Sequence, residues 1–194
     1  MSRAGHLYFE SERLTYRPLE QYDLDLMVEQ WSDPEVIKYI DCQTYDEDEL
    51  REEMPLVTRR AGGGCIGIWI LADKESGEKL GTAILLPLPV EADDTEWDLV
   101  REGEIPDREI EVGYILKQAA WGRGFATEAC RRMIRFGFEC TPLDEIVAAI
   151  DPENHVSRKV LQKSGMREEG LIRAYAETIP GFRITRAEWL RANP

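Results

Sequence analysis

Residues 109–128 read EIEVGYILKQAAWGRGFATE, and two periodicities meet inside this stretch. Ile110, Val112, Tyr114 and Leu116 alternate with Glu109, Glu111, Gly113 and Ile115, as the two faces of a strand do. Trp121-Gly122-Arg123-Gly124-Phe125-Ala126 then turns the chain. From Phe125 the spacing becomes helical. Phe125, Ala129, Met133 and Phe136 form one row, and Ala126, Cys130, Ile134 and Gly137 form the next. A glycine turn that opens a helix gathers free main-chain N–H groups at one point, with the positive end of the helix dipole behind them. Such a place binds anions, above all phosphate.

Two familiar phosphate loops do not fit. The P-loop needs four residues between its glycines and then Lys-Ser or Lys-Thr. The dinucleotide pattern needs a third glycine, where this chain has Thr127. A bare glycine turn before a helix would share the first feature alone. The turn instead resembles the acetyl-CoA pyrophosphate loop of the GNAT superfamily of N-acetyltransferases, [Gln/Arg]-x-x-Gly-x-[Gly/Ala]. Gly124 and Ala126 fill the last two slots, and Trp121 departs from the first. The run WGRGFATEA is similar to the branch typified by ribosomal-protein N-terminal acetyltransferases. A second motif, Asn154-x-x-Ser157-x-x-x-Leu161-x-x-x-Gly165-Met166, resembles the family's Asn-x-x-[Ala/Ser]-x-x-x-[Tyr/Leu]-x-x-x-Gly-Phe.

Outward from this centre, residues 14–17 read as a short strand ended by Pro18. Residues 22–31 read as a helix with Leu24, Met27, Val28 and Trp31 on one side, closed by Asp33-Pro34. A helix over 46–60 opens on four acids and buries Leu50, Met54 and Val57, with a kink or break expected at Pro55. Residues 66–72 and 80–88 form a hairpin. Residues 89–108 lack periodicity. Nine acids stand against two arginines between Glu91 and Glu109, and only Trp97, Leu99 and Val100 offer anchors. A partly ordered acidic insertion is expected there, as a solvated loop or as a flap over the site. Residues 145–151 complete a βαβ unit, whose strands must be parallel with a right-handed crossover. Asn154 caps the next helix and Gly165 ends it. Closing strands are expected at 166–175 and 182–190, with a turn at Pro180-Gly181.

The expected architecture is therefore one α/β domain over residues 1–194: a mixed sheet of six to seven strands with about four helices. That order matches the GNAT fold. The resemblance implies that the fourth and fifth strands, parallel neighbours, splay apart.

At 194 residues the chain suits a single core. No apolar run approaches ~20 residues, so no membrane span or membrane partner is expected. The N-terminus lacks an apolar signal core, which points to the cytoplasm. Cys42, Cys65, Cys130 and Cys140 show no C-x-x-C spacing and read as free thiols, and His6 and His155 stand alone; no metal site is expected. A net charge of −14 argues against nucleic acid. It suits a cationic amine, or simply keeps the protein soluble. Local cations such as Arg123, Arg131 or Arg158 would then have to help hold any polyanionic ligand. The chain reads as a monomer or a homodimer.

The resemblance implies direct transfer of acetyl from acetyl-CoA to a primary amine on a protein N-terminus or a small molecule. A non-catalytic acyl-CoA-binding module is the alternative, because Leu161 stands where many members carry a tyrosine acid. An amine attacks only when neutral, so a carboxylate or an ordered water must take its proton. Glu109 and Glu111 are the candidates, with Glu111 preferred by family position. The resemblance gives the thioester carbonyl a main-chain N–H around Tyr114, Ile115 and Leu116. It gives the diphosphate Trp121, Gly122, Arg123, Gly124, Phe125, Ala126 and Thr127, and adds Asn154, Ser157 and Arg158 as cofactor contacts. It makes Ser157 a donor to the leaving thiolate. Trp31, Glu109 and Glu111 are expected on the acceptor side.

Overall fold

Eight strands form one sheet in the order β1-β2-β3-β4-β5-β6-β8-β7 in the computed structural model, which describes residues 5–41 and 43–193. Cys42 lies outside them. The strands are β1 (Phe9–Glu10), β2 (Leu14–Pro18), β3 (Gly67–Asp73), β4 (Lys79–Pro87), β5 (Ile110–Leu116), β6 (Glu145–Ala149), β7 (Arg167–Ala174) and β8 (Glu177–Thr185). The helices are α1 (Leu24–Trp31), α2 (Pro34–Ile37), α3 (Glu47–Val57), α4 (Phe125–Cys140), α5 (His155–Lys163) and α6 (Arg186–Ala192). Two-residue β1 pairs with β2 and brings the sheet to eight strands, one more than the pattern of longer strands indicates.

The centre of the sheet is covered on both faces. Ile68-Trp69-Ile70-Leu71 of β3 is a continuous buried run, as a doubly covered strand requires. Every pairing is antiparallel except β5 with β6. Helix α4 makes the crossover between those two. Its rows are buried as the spacing requires, from Phe125 and Ala129 to Phe136 and Gly137, with Ala126 half-buried. Gly137 lets the helix close on the sheet, since a Cβ there would stand 2.8 Å from Ile146 Cδ1.

The parallel pair splays. β4 and β5 stay in register over seven residue pairs, but β5 meets β6 only at Glu111↔Val147. Main-chain bonds from Leu88 N to Glu109 O and from Lys117 N to Leu80 O set the phase of the β4–β5 ladder. Odd-numbered residues of β5 thus pair with β4, and Val112, Tyr114 and Leu116 turn their main chain towards β6.

Four expectations change. The buried face of α1 is Leu26, Met27 and Gln30, with Leu24, Val28 and Trp31 only half-buried. α3 stops at Val57, two residues after Pro55, because the proline cannot donate to Arg51 O and weakens the last turn. The closing turn lies at Tyr175-Ala176, and Pro180-Gly181 is inside β8. Gly181 serves close approach there, since a Cβ would lie 2.6 Å from Ile172. The expected strand over 182–190 ends at Thr185, whose side chain caps α6 in a box with Glu188.

Candidate active site

The site is built along β5, and its C-terminal end supplies the turn. Gly122 and Gly124 take φ of 71° and 82°, left-handed values that cost other residues roughly 1–2 kcal/mol. Residues 121–124 are exposed. Glu128 N is the first amide of α4 to reach a main-chain acceptor, Gly124 O at 3.2 Å. Helix geometry therefore leaves the N–H groups of Phe125, Ala126 and Thr127 without intrahelical partners. Trp121 is 46% exposed, and its indole donates to Leu116 O at 2.7 Å, which pins the strand to the turn.

The β1–β2 turn braces this corner. Glu128 accepts from Arg13 N (2.7 Å), Arg13 Nε (2.8 Å) and Ser11 Oγ (2.7 Å). Burial alone would raise the Glu128 carboxyl, but these bonds hold it below the usual range. Arg13 also donates to Arg123 O at 2.8 Å, and both guanidinium groups stack on Phe125, at 4.5 and 4.7 Å. Of the three cations read from the sequence, only Arg123 lies at the turn. Arg131 donates to Lys163 O at the end of α5, and Arg158 pairs with Glu168. Arg13 takes the second place. Nothing near it in sequence announces the role, because it meets Glu128 across 115 residues.

The middle of β5 faces α5. Tyr114 Oη lies 2.9 Å from Ser157 Oγ, and Ser157 N donates to Asn154 Oδ1 at 3.0 Å. Burial raises the Tyr114 phenol well above its ordinary value, so it stays protonated. Leu161 is buried in the core, and Ile115 O accepts from Gln30 Nε2 at 2.7 Å.

The N-terminal end of β5 carries the carboxylates. Alternation assigns Glu111 to the polar face, yet only 3% of it is exposed. That face is closed by the β7–β8 turn, where Tyr175 donates its hydroxyl to Glu111 Oε1. Burial pushes the Glu111 carboxyl up to about 7, the Tyr175 bond opposes this, and the nearby Asp94 carboxylate adds to it. Glu109 has a different setting. It is exposed and bound by Arg183 Nη2 at 2.6 Å, in a cluster with Glu145 and Glu169.

Residues 89–108 are more firmly held than their composition implies. Trp97 and Val100 are buried, Arg173 forks onto Glu91, and Gly62 N donates to Glu104 O at 2.5 Å. The segment brings Asp94 towards Glu111. Burial raises the Asp94 carboxyl, hydrogen bonds from the Thr95 main chain and the Trp97 side chain oppose this, and Asp93 and Asp41 add to the rise. Asp41 in turn accepts from Tyr45 Oη at 2.7 Å, and Tyr45 stands edge-on to Trp31 at 5.8 Å. Tyr175, Asp94 and the Asp41–Tyr45 pair come from three segments far apart in sequence, so no local spacing marks their approach to Glu111. At the start of α3, Asp46 and Glu49 form a capping box. Among the described residues no three His, Cys, Asp or Glu side chains gather as metal ligands do.

The arrangement offers a main-chain anion site, a gap between parallel strands and a buried carboxylate at the gap's closed end. It fits an acyl-CoA. The glycine turn leaves room and donors for a diphosphate, and the single β5–β6 bridge leaves strand edges free for an amide-bearing arm.

Comparison with known proteins agrees. Residues 13–167 match the family model of the acetyltransferase (GNAT) domain. An uncharacterized N-acetyltransferase p20 of Bacillus licheniformis is 32% identical over 166 residues, 85% of each chain. The FsC-acetyl coenzyme A-N(2)-transacetylase of Aspergillus fumigatus is 28% identical over 92% of this chain and 76% of its own. A putative ribosomal N-acetyltransferase YdaF of Bacillus subtilis is 34% identical, over 67 residues only. The crystal structure of the aminoglycoside acetyltransferase AAC(6')-Ib in complex with coenzyme A superposes with a TM-score of 0.73, covering 93% of this chain and 99% of that one, at 16% identity. The chain belongs to the GNAT family of acetyl-CoA-dependent N-acetyltransferases.

Proposed function

We propose that this enzyme transfers acetyl to a primary amine that is itself cationic, with Glu111 as general base. The observation that carries the reading is the buried Glu111 carboxylate, poised at about 7 beside the one bridge of the splayed strands. An α-amino group titrates near ~8 and a lysine amine near ~10.4, so the acceptor arrives as an ammonium ion. The acids Glu111, Asp94 and Asp41 attract that charge, and Trp31 and Tyr45 offer aromatic walls beside it. Two named proteins above, the transacetylase and the aminoglycoside enzyme, are consistent with amine-bearing acceptors. Glu109 is bound by Arg183, which supports Glu111 over Glu109 as the base.

Acetyl-CoA supplies the acetyl thioester. The N–H groups of Arg123 to Thr127 would hold its diphosphate, with Arg13 and Arg123 adding charge. Glu111 Oε2, the oxygen not bonded to Tyr175, takes the proton from the ammonium group. The free amine then has its lone pair for attack on the carbonyl carbon. Main-chain N–H groups of β5 facing the gap, around Tyr114 to Leu116, stabilise charge on the carbonyl oxygen. When the carbon–sulfur bond breaks, its electron pair leaves on sulfur. The second proton of the attacking nitrogen passes to that thiolate to give coenzyme A thiol, and Glu111 returns the first proton to solvent. The Ser157 hydroxyl donates a hydrogen bond to the departing sulfur and Tyr114 Oη donates to Ser157 in turn. Asn154 and the α5 backbone hold Ser157 in place. Unlinked thiols at Cys65, Cys130 and Cys140 suit a cytoplasmic enzyme.

The test is release of free coenzyme A from acetyl-CoA over polyamines, aminoglycosides and peptides with free N-termini. Turnover with at least one cationic amine, lost in Glu111→Gln, is expected. Binding of acetyl-CoA with no turnover on any amine would favour the non-catalytic reading, for which Leu161 in the tyrosine slot is the specific observation.

A further inference from the structure

Tyr175 reaches Glu111 through an unusual piece of backbone. Tyr175 and Ala176 hold φ of 54° and 56° in the two-residue link between Ala174 and Glu177. Hairpin turns of this kind favour Asn-Gly, because both central residues need positive φ. Neither Tyr nor Ala adopts it readily. The strain is held from outside the hairpin. Tyr175 N donates to Pro89 O at 2.9 Å, Ala176 N donates to Val90 O at 3.0 Å, and Arg173 forks onto Glu91. Residues 89–91 thus brace a turn whose product is one phenol aimed at one carboxylate.

We infer that Tyr175 is a positioning residue for acetyl transfer: its phenol occupies Glu111 Oε1 and leaves Oε2 free for the proton of the amine. The inference rests on Glu111 acting as the base. Strained backbone persists where surrounding structure over-determines it, often at functional sites. Here it has a specific product. A buried glutamate without a donor would remain a neutral acid at neutral pH and take no proton. Two titratable groups act on Glu111: Tyr175 from the β7–β8 turn, which favours the carboxylate, and Asp94 from the 89–108 segment, which disfavours it. The strands beside it present Leu86 and Val147 at its register. Beyond Asp94 stand Asp93, Asp41 and Tyr45, with no cation among them. Tyr175 is thus the one donor that offsets burial, and burial together with Glu111 keeps its own phenol protonated.

The test is a carboxyl 13C NMR titration of the full chain labelled with glutamate, the Glu111 resonance being the one missing from Glu111→Gln. Wild type should titrate near 7. In Tyr175→Phe the midpoint should rise by about one pH unit, the worth of a hydrogen bond to a charged group. An unmoved or lowered midpoint would overturn the inference. Ala176→Gly relieves strain without touching the phenol and should leave the midpoint in place. A shift there as large as in Tyr175→Phe would trace the effect to the turn and also overturn it. Should Tyr175→Phe fail to fold, a 3-fluorotyrosine-labelled chain carries a stronger phenol donor. Its Glu111 midpoint should then fall, and an unmoved or raised one contradicts the inference. Failure of the base assignment itself shows separately, as undiminished turnover of spermidine or an alanine tripeptide by Glu111→Gln.

Discussion

The two ends of β5 lie on one strand and have opposite electrostatics. At Glu111 the surroundings are buried and acidic, and Tyr175, Asp94 and Asp41 offer no cation. At the turn after Leu116 the chain is exposed, rich in free N–H groups and flanked by Arg13 and Arg123. A chain of net charge −14 can therefore present one anion site, provided the donors are main-chain amides. Part of the acid excess lies in residues 89–108, which bring Asp94 towards Glu111. The global charge matches the Glu111 end and not the turn.

The contrast can be broken at either end, and the acidic end should respond most. Glu111→Gln should lower kcat by at least ~100-fold, the usual worth of a positioned base. Its affinity for acetyl-CoA, measured calorimetrically, should not change, because the turn is untouched. A parallel loss of affinity would merge two sites held here to be separate. At the other end, Gly124→Val should raise the acetyl-CoA Kd by at least ~10-fold, since a branched side chain at φ 82° strains the turn and crowds its amides. Circular dichroism should show the fold intact.

The buried carboxylate also predicts a stability profile. Its folded pKa of about 7 lies above the 4.5 of an ordinary glutamate. Between those values the folded chain holds a proton that the unfolded chain has lost, so Glu111 destabilises increasingly as pH rises from 4.5 to 7. Above 7 the cost is constant, on the order of 3 kcal/mol. Urea melts should show Glu111→Gln equal to wild type at pH 4.5 and more stable at pH 8. A constant gap across that range would mean Glu111 is not desolvated. The smallest effect is expected from Arg13→Ala. Loss of its ties to Glu128 and Arg123 should weaken acetyl-CoA binding by about 1 kcal/mol, close to fivefold, with kcat unchanged.

The same contrast sorts what was legible in the sequence. The turn and α4 were, because glycines, a change of period and a helix start are local features read within twenty residues. The Asn154 cap was legible for the same reason. The splay came from the family motif, since no periodicity marks a strand that leaves its neighbour. The acidic end was mostly hidden. Glu111 and Tyr175 are 64 residues apart, and the turn that joins them carries Tyr-Ala where hairpin chemistry favours Asn-Gly. Pro180-Gly181 offered a louder turn signal and drew the hairpin five residues too late. Thr185-Arg-Ala-Glu188 is a capping box in plain view, but apolar residues around it read as a strand.

The most direct test is a crystal structure with coenzyme A bound. The diphosphate should lie within hydrogen-bonding reach of the amides of Arg123 to Thr127, and the thiol should sit between β5 and β6 on the Glu111 side of Ser157. A diphosphate bound away from that turn, or β5 and β6 zipped together with the ligand outside them, would contradict the account.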